Sequence, residues 1–182
     1  MIGNVPKGLD SGFLAGVRWT DRSVSATRAK QGQTQKPDFD FTELGLLFPQ
    51  NDPSEKIYIL DQMLHEKKFG TPLDLHFHFI QTSALLPVFK ADYRFYNNGD
   101  IVPGWTSITS LGVGKLTYPG SGDMLQIIDF PEIPAPADEN VSSNIDLIFY
   151  RDDNIISGDV LVKFIDFHFQ KDGDGSRQEY VK

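Results

Sequence analysis

Two stretches of the 182-residue chain alternate so strictly that they leave little choice of backbone. From Thr71 to Ile80, Leu73, Leu75, Phe77 and Phe79 fall on one side of an extended strand, and Asp74, His76, His78 and Ile80 on the other. The reason is geometric: side chains of a strand point to opposite faces with a period of two. Lys163 to Gln170 has the same form, with aromatics on one face and Asp166, His168 and Gln170 on the other. Two long strands of this kind are expected as inner strands of a β-sandwich or barrel. Their histidines have two readings, a metal site or ordinary hydrogen-bonded imidazoles, and most of the functional argument turns on that choice.

The rest of the chain supports an all-β fold. Runs rich in β-branched and aromatic residues recur at short spacing: Ile57 to Met63, Val88 to Tyr96, Trp105 to Ser110, Lys115 to Tyr118, Met124 to Phe130, Ile145 to Arg151 and Val160 to Gln170. Turn signals separate them, among them Pro49-Gln50-Asn51-Asp52-Pro53 and Asn97-Asn98-Gly99-Asp100, where Asn-Gly favours a tight turn. Pro131 to Asn140, with three prolines and three acids, reads as a surface loop. About eight strands at such spacing predict a single antiparallel β-sandwich, jelly-roll-like, over residues 37–182. Residues 1–36 stand apart as an extended N-terminal arm. Past Phe13 and Trp19 the arm is polar and basic, with Arg18, Arg22, Arg28, Lys30 and Lys36. Such a segment has too little apolar surface to order alone. It is expected either to be loose, as termini often are, or to dock on a neighbouring acidic protein.

Composition removes several classes of function. The net charge of −8 argues against a nucleic-acid surface, which needs a basic stripe to displace counterions. The chain has no cysteine, hence neither disulfides nor thiol chemistry. No apolar run approaches the roughly 20 residues of a membrane span. Met1 to Gly12 lacks the charged-then-apolar order of a secretion signal. These features predict a soluble, unexported protein.

The strongest chemical constellation is His76-x-His78, with Asp74 before it and His168 on a separate strand. Histidines at i and i+2 share a strand face and can reach one metal, with a third supplied by a neighbouring strand. Gly70 followed by five residues and His76-Phe77-His78 resembles the opening of the first cupin motif. Thr82 and Ser83 stand where that motif needs a glutamate, and His168 lacks the context of the second motif. Hydrogen bonding within the sheet, or a subunit interface, is therefore the expected role of these three imidazoles. Asp172-x-Asp174-Gly175 lacks the later carboxylates of a calcium loop. There is no Gly-x-Ser-x-Gly elbow and no phosphate-binding glycine loop. No enzyme, no cofactor and no bound metal is expected. Most rings should face the core, with Trp105, Tyr118 and Tyr180, near turns, as candidates for an exposed aromatic contact.

Several stretches resemble a family of small tailed-bacteriophage virion proteins. They are Lys36 to Asp40, Gly45 to Pro53, Gln62 to His65, Gly70 to His78, Tyr150 to Asn154 and Asp172 to Arg177. Leu64 stands where that family has proline. The resemblance implies a virion structural protein. With the acidic sandwich and basic arm, it leads to the expectation of a capsid decoration (cement) protein on the outer surface of the phage head. Its partners would be the major capsid protein or other virion proteins, and the arm would brace neighbouring subunits. A homo-oligomer is expected, a trimer rather than a dimer by analogy with decoration jelly rolls on threefold axes. The alternative from the same resemblance is a head-fibre or tail receptor-binding module that recognises host glycan. An exposed aromatic platform beside Asp/Asn loops would favour it.

Overall fold

The computed structural model describes residues 18–50, 52–81, 86–111, 125–152 and 158–171. The first strands are β1 (Arg18–Ser25), β2 (Lys30–Gln31), β3 (Asp38–Asp40), β4 (Gly45–Phe48) and β5 (Lys56–Gln62). Then come β6 (Leu73–Ile80), β7 (Phe89–Tyr96), β8 (Thr106–Thr109), β9 (Gln126–Asp129), β10 (Asn144–Arg151) and β11 (Val160–Lys171). A single 3₁₀ turn, Ala26–Arg28, joins β1 to β2. No helix of the described residues is long and apolar enough to cross a membrane.

All strand pairings are antiparallel and form two sheets. The first, sheet A, runs β3-β4-β11-β6-β9, with β1 also on β11. The second, sheet B, runs β2-β5-β10-β7-β8. Without the short flanking strands, the orders β4-β11-β6-β9 and β5-β10-β7-β8 are those of a jelly roll, the chain passing from one sheet to the other at nearly every connection. The expected all-β antiparallel sandwich is the fold observed.

The two alternating stretches are neighbours, β6 beside β11 in the middle of sheet A. Their inward residues Leu73, Leu75, Phe77, Phe79, Ile165, Phe167 and Phe169 join one core with Ile57, Phe89, Leu147 and Phe149 of sheet B. Phe77 lies at its centre, edge-on to Phe89, Phe130 and Phe149 at 5.2, 5.1 and 4.7 Å between ring centroids, the geometry that aromatic quadrupoles favour. Gly45 lets β4 approach β11: a Cβ there would stand 2.8 Å from the Leu161 side chain and 2.9 Å from the Val162 carbonyl.

The arm expected over residues 1–36 is corrected from Arg18 onward; Phe13 lies outside the described residues. Arg18 to Ser25 pairs residue for residue with Lys171 to Phe164 of β11. Ala26 is fully buried, Val24 packs on the core, and Lys30–Gln31 extends sheet B. Arg22 turns inward and donates to Asp61 Oδ1 of β5 at 2.6 Å, bridging the two sheets. Trp19, Arg28, Lys30 and Lys36 are exposed on this part of the sandwich. The segment orders despite its polarity because its backbone satisfies the second half of β11, which would otherwise be an open edge. The stretch 131–140 is also more than a surface loop. Ile133 exchanges two backbone hydrogen bonds with Leu73 and is buried. Glu139 turns into the protein to meet Lys67, each side chain only 1% exposed, at 2.8 Å. Glu139 also accepts from the Gly70 N–H and the Ser143 hydroxyl. Burial lowers the pKa of Lys67, with Glu139 opposing the shift. The runs at Lys115 to Tyr118 and Asp172 to Asp174 lie outside the described residues.

Two outcomes follow from this packing. Glu139→Ala strands a buried ammonium, and the unfolding free energy in a urea titration should fall by about 3–5 kcal/mol. Deleting residues 1–36 removes β1 and Ala26 and bares the edge of β11. The truncated chain should lose cooperative thermal unfolding by circular dichroism, whereas a loose arm would leave the midpoint unchanged.

Candidate functional site: an imidazole–carboxylate groove and an aromatic face

The outer faces of the two sheets carry different chemistry. On sheet A the register sets out a grid. Asp166 of β11 stands opposite His76 of β6, which stands opposite Asp129 of β9. One pleat along, Asp21 of β1 faces His168, which faces Asp74. His78 lies one pleat the other way, opposite Phe164. The alternation that sends Phe77, Phe167 and Phe169 inward therefore gathers all three histidines on the outside.

They gather around one carboxylate. His78 Nε2 lies 2.8 Å from Asp166 Oδ2, and His76 Nε2 lies 3.5 Å from the same oxygen. The His76 ring is edge-on to that of His168 at 4.4 Å between centroids and 5.1 Å from that of His78. His168 Nε2 in turn is 3.3 Å from Asp21 Oδ1. Burial first, and then the adjoining His168, hold the His76 pKa below the usual imidazole value, so its ring is neutral at pH 7. A groove of about 470 Å³ opens over His76, His78, His168 and Asp21, walled further by Asp74, Asp129 and Glu132. No lysine or arginine is among the described residues that line it.

On sheet B the outer face is aromatic and cationic. Arg94 of β7 donates through Nε to Asp146 Oδ2 of β10 at 2.7 Å, and its guanidinium lies 4.3 Å from the centre of the Trp105 ring. The Tyr96 hydroxyl donates to the same carboxylate oxygen at 3.2 Å. Further along the face, Lys56 Nζ sits 4.5 Å over the Tyr150 ring. Trp105 remains 44% exposed. Next to it, the 97–104 loop is pinned. Asn97 donates to the Asp138 carbonyl and accepts from the Asn140 N–H, each at 2.9 Å, and the Asn144 amide donates to Asn98 Oδ1 at 2.7 Å. Beyond this anchored start, Ile101 is 96% exposed.

The structure brings His76, His78 and His168 together as their strand pattern suggested, and it presents Trp105 on the surface. It does not bring Arg18, Trp19, Arg22, Arg28, Lys30 or Lys36 to either site. Two participants escaped the sequence reading. Asp166 shared a strand face with His168 in the sequence, but only the register with β6 makes it the hub of the cluster. Asp21 carried no signal at all, because the pairing of β1 with β11 is not written in its residues. Arg151 is buried inside, donating to the carbonyls of Phe48 and Gly158 at 2.9 Å. Tyr118 and Tyr180 lie outside the described residues.

The chain matches no protein-family model. No curated protein matches it either. Among solved structures, it is similar to part of the mosquito-larvicidal Cry4Aa toxin of Bacillus thuringiensis. The alignment has a TM-score of 0.51 and 16% identity and covers 84% of this chain and 24% of the toxin. This likeness is one of fold. The CBM36-1 domain of a multidomain xylanase from the hindgut metagenome of Trinervitermes trinervoides aligns at a TM-score of 0.41 and 11% identity, over 86% of this chain and 99% of that domain. The enzymatically active domain of tailspike protein 4 of bacteriophage CBA120 aligns at 0.37 and 13% identity, over 84% of this chain and 19% of that one. The last two are too loose to carry an argument.

Proposed function

We propose that the protein is a non-catalytic binding module of a tailed-phage virion that recognises host glycan through the outer face of sheet B. The observation that carries this reading is Trp105. Its ring rests on a guanidinium anchored by Asp146, it is exposed, and it adjoins a loop of asparagines and aspartate tied down by hydrogen bonds. A sugar ring offers a C–H face that stacks on an aromatic and hydroxyls that pair with carboxylates, amides and guanidinium. A rigid platform loses little entropy when it binds. The virion assignment draws on the sequence resemblance, and the absence of a catalytic motif favours binding over catalysis.

Capsid decoration is the second reading. It is favoured by Phe41, 85% exposed and edge-on to Phe39 at 4.7 Å, with exposed Leu44 beside it on the turn between β3 and β4. An apolar pair at a sheet edge suits burial against a neighbouring subunit, and an oligomer on a lattice gains from many weak contacts at once.

Trp105→Ala separates the two. On polysaccharide prepared from host envelopes, the variant should bind at least about tenfold more weakly. Its unfolding midpoint should stay put, since surface substitutions shift stability by about 0.5 kcal/mol or less. Equal glycan binding by variant and parent, with density of the parent over the outer shell of particles imaged by cryo-electron microscopy, would replace recognition by decoration.

A further inference from the structure

We infer that His76, His168 and Asp166 bind a single divalent transition-metal ion of the zinc type on the outer face of sheet A, with one coordination position open to the groove. The site is independent of what sheet B binds.

The first ground is geometry. One ligand atom from each of these three residues lies within 4.8 Å of the others. Two ligands of a tetrahedral ion, each about 2.1 Å from it, stand about 3.4 Å apart. His76 Nε2 and Asp166 Oδ2 already stand 3.5 Å apart. Small side-chain rotations complete the set without moving β6 or β11, whose pairing holds all three residues. The second ground is an unmet need. Asp166 Oδ2 already has His78 at 2.8 Å, while Oδ1 is buried with no hydrogen-bond partner among the described residues. A buried carboxylate short of partners is costly, and a cation at the adjoining Oδ2 offsets its charge. The third ground is the field. Asp21, Asp74, Asp129 and Glu132 surround the cluster, and no cationic side chain is among the described residues lining the groove. It therefore concentrates cations and repels anions.

The donor set selects the ion. Two imidazoles and a carboxylate suit zinc, and nickel and cobalt after it, whereas calcium and magnesium prefer oxygen alone. The cluster lies on the outer face of sheet A, opposite the core side of β6 and β11, so core packing does not explain it. His78, through Asp166, is an outer partner that orients the carboxylate, a role usually worth roughly 10–100-fold in affinity. Three protein ligands leave a fourth position for water or an incoming donor. Asp21, 3.3 Å from His168 Nε2, is a further carboxylate beside it.

The chain itself supplies the control. It has four histidines and no cysteine, and the fourth, His65, sits elsewhere against Ser142 Oγ at 2.7 Å. Untagged full-length protein, stripped with chelator, is titrated with Zn²⁺ by calorimetry and followed by imidazole NMR. About one ion per chain should bind, raising the melting midpoint. The His76 and His168 signals should shift and that of His65 should not. His168→Gln, which removes a direct ligand, should weaken binding by more than the roughly 10–100-fold expected of an outer partner, His78→Gln by roughly 10–100-fold, and His65→Gln not at all. Excess Mg²⁺ or Ca²⁺ should not displace the zinc. No saturable binding at micromolar Zn²⁺ would overturn the assignment, and so would unchanged affinity in His168→Gln. Because the NMR shifts are read on the parent protein, a variant that fails to fold leaves the test intact: a response from His65, or from only one of His76 and His168, also overturns it.

Discussion

The antiparallel pairing of β6 with β11 is the contact on which the rest of the molecule depends. It buries seven large apolar side chains on one face of the two strands, Leu73, Leu75, Phe77, Phe79, Ile165, Phe167 and Phe169. A slip of one residue would send these outward and the histidines and aspartates inward, so burial fixes the register firmly. The pairing shifts between Val162 and Phe164, an irregularity that bends a strand and sharpens its twist. β11 is long enough to carry β4 along its first half and β1 along its second, both on the side away from β6. The first and last described strands of the chain thus close together on one sheet, and sheet B covers it.

Several charged groups taken inside this frame find partners there. Glu139 accepts from Lys67 and from two further donors, and Lys67 also donates to the Thr71 carbonyl, holding the 131–140 stretch against the turn before β6. Arg151 spends its guanidinium on two main-chain carbonyls, tying the end of β10 to β4. Arg22 and Asp61 join the sheets at the side where β1 and β5 approach. Burial raises the Asp61 pKa and Arg22 opposes the rise. Such pairs add little over an apolar core but are costly to break, so they specify which loop sits where more than they add net stability.

The two outer faces are free to differ because the core constrains only the inner ones. Both sites are rows of cross-strand neighbours on regular strands, and each inherits the rigidity of its sheet. Sheet A presents imidazoles and carboxylates and attracts cations. Sheet B presents Trp105, Tyr96 and Tyr150 propped by Arg94 and Lys56 and suits a flat, hydroxylated surface. The proposed ion and the proposed glycan would therefore take opposite sides of one sandwich.

Much of this could be read in the chain alone. Period-two alternation determined that Leu73 to Ile80 and Val160 to Gln170 are strands, which residues face the core, and that His76, His78 and His168 lie on the opposite side. Turn chemistry and strand spacing determined the all-β sandwich. Local pattern could not say which strands are neighbours, because pairing is set by packing between residues far apart in sequence. Hence the polar, basic segment from Arg18 became β1 only through the open edge of β11. Asp166 became the centre of the cluster only through its register with His76, and Glu139 left a proline-rich loop for the interior only because Lys67 waited there. The sequence determined the faces; the tertiary structure decided what met on them, since side chains gain a partner only when the long-range contacts that order the sheets have formed.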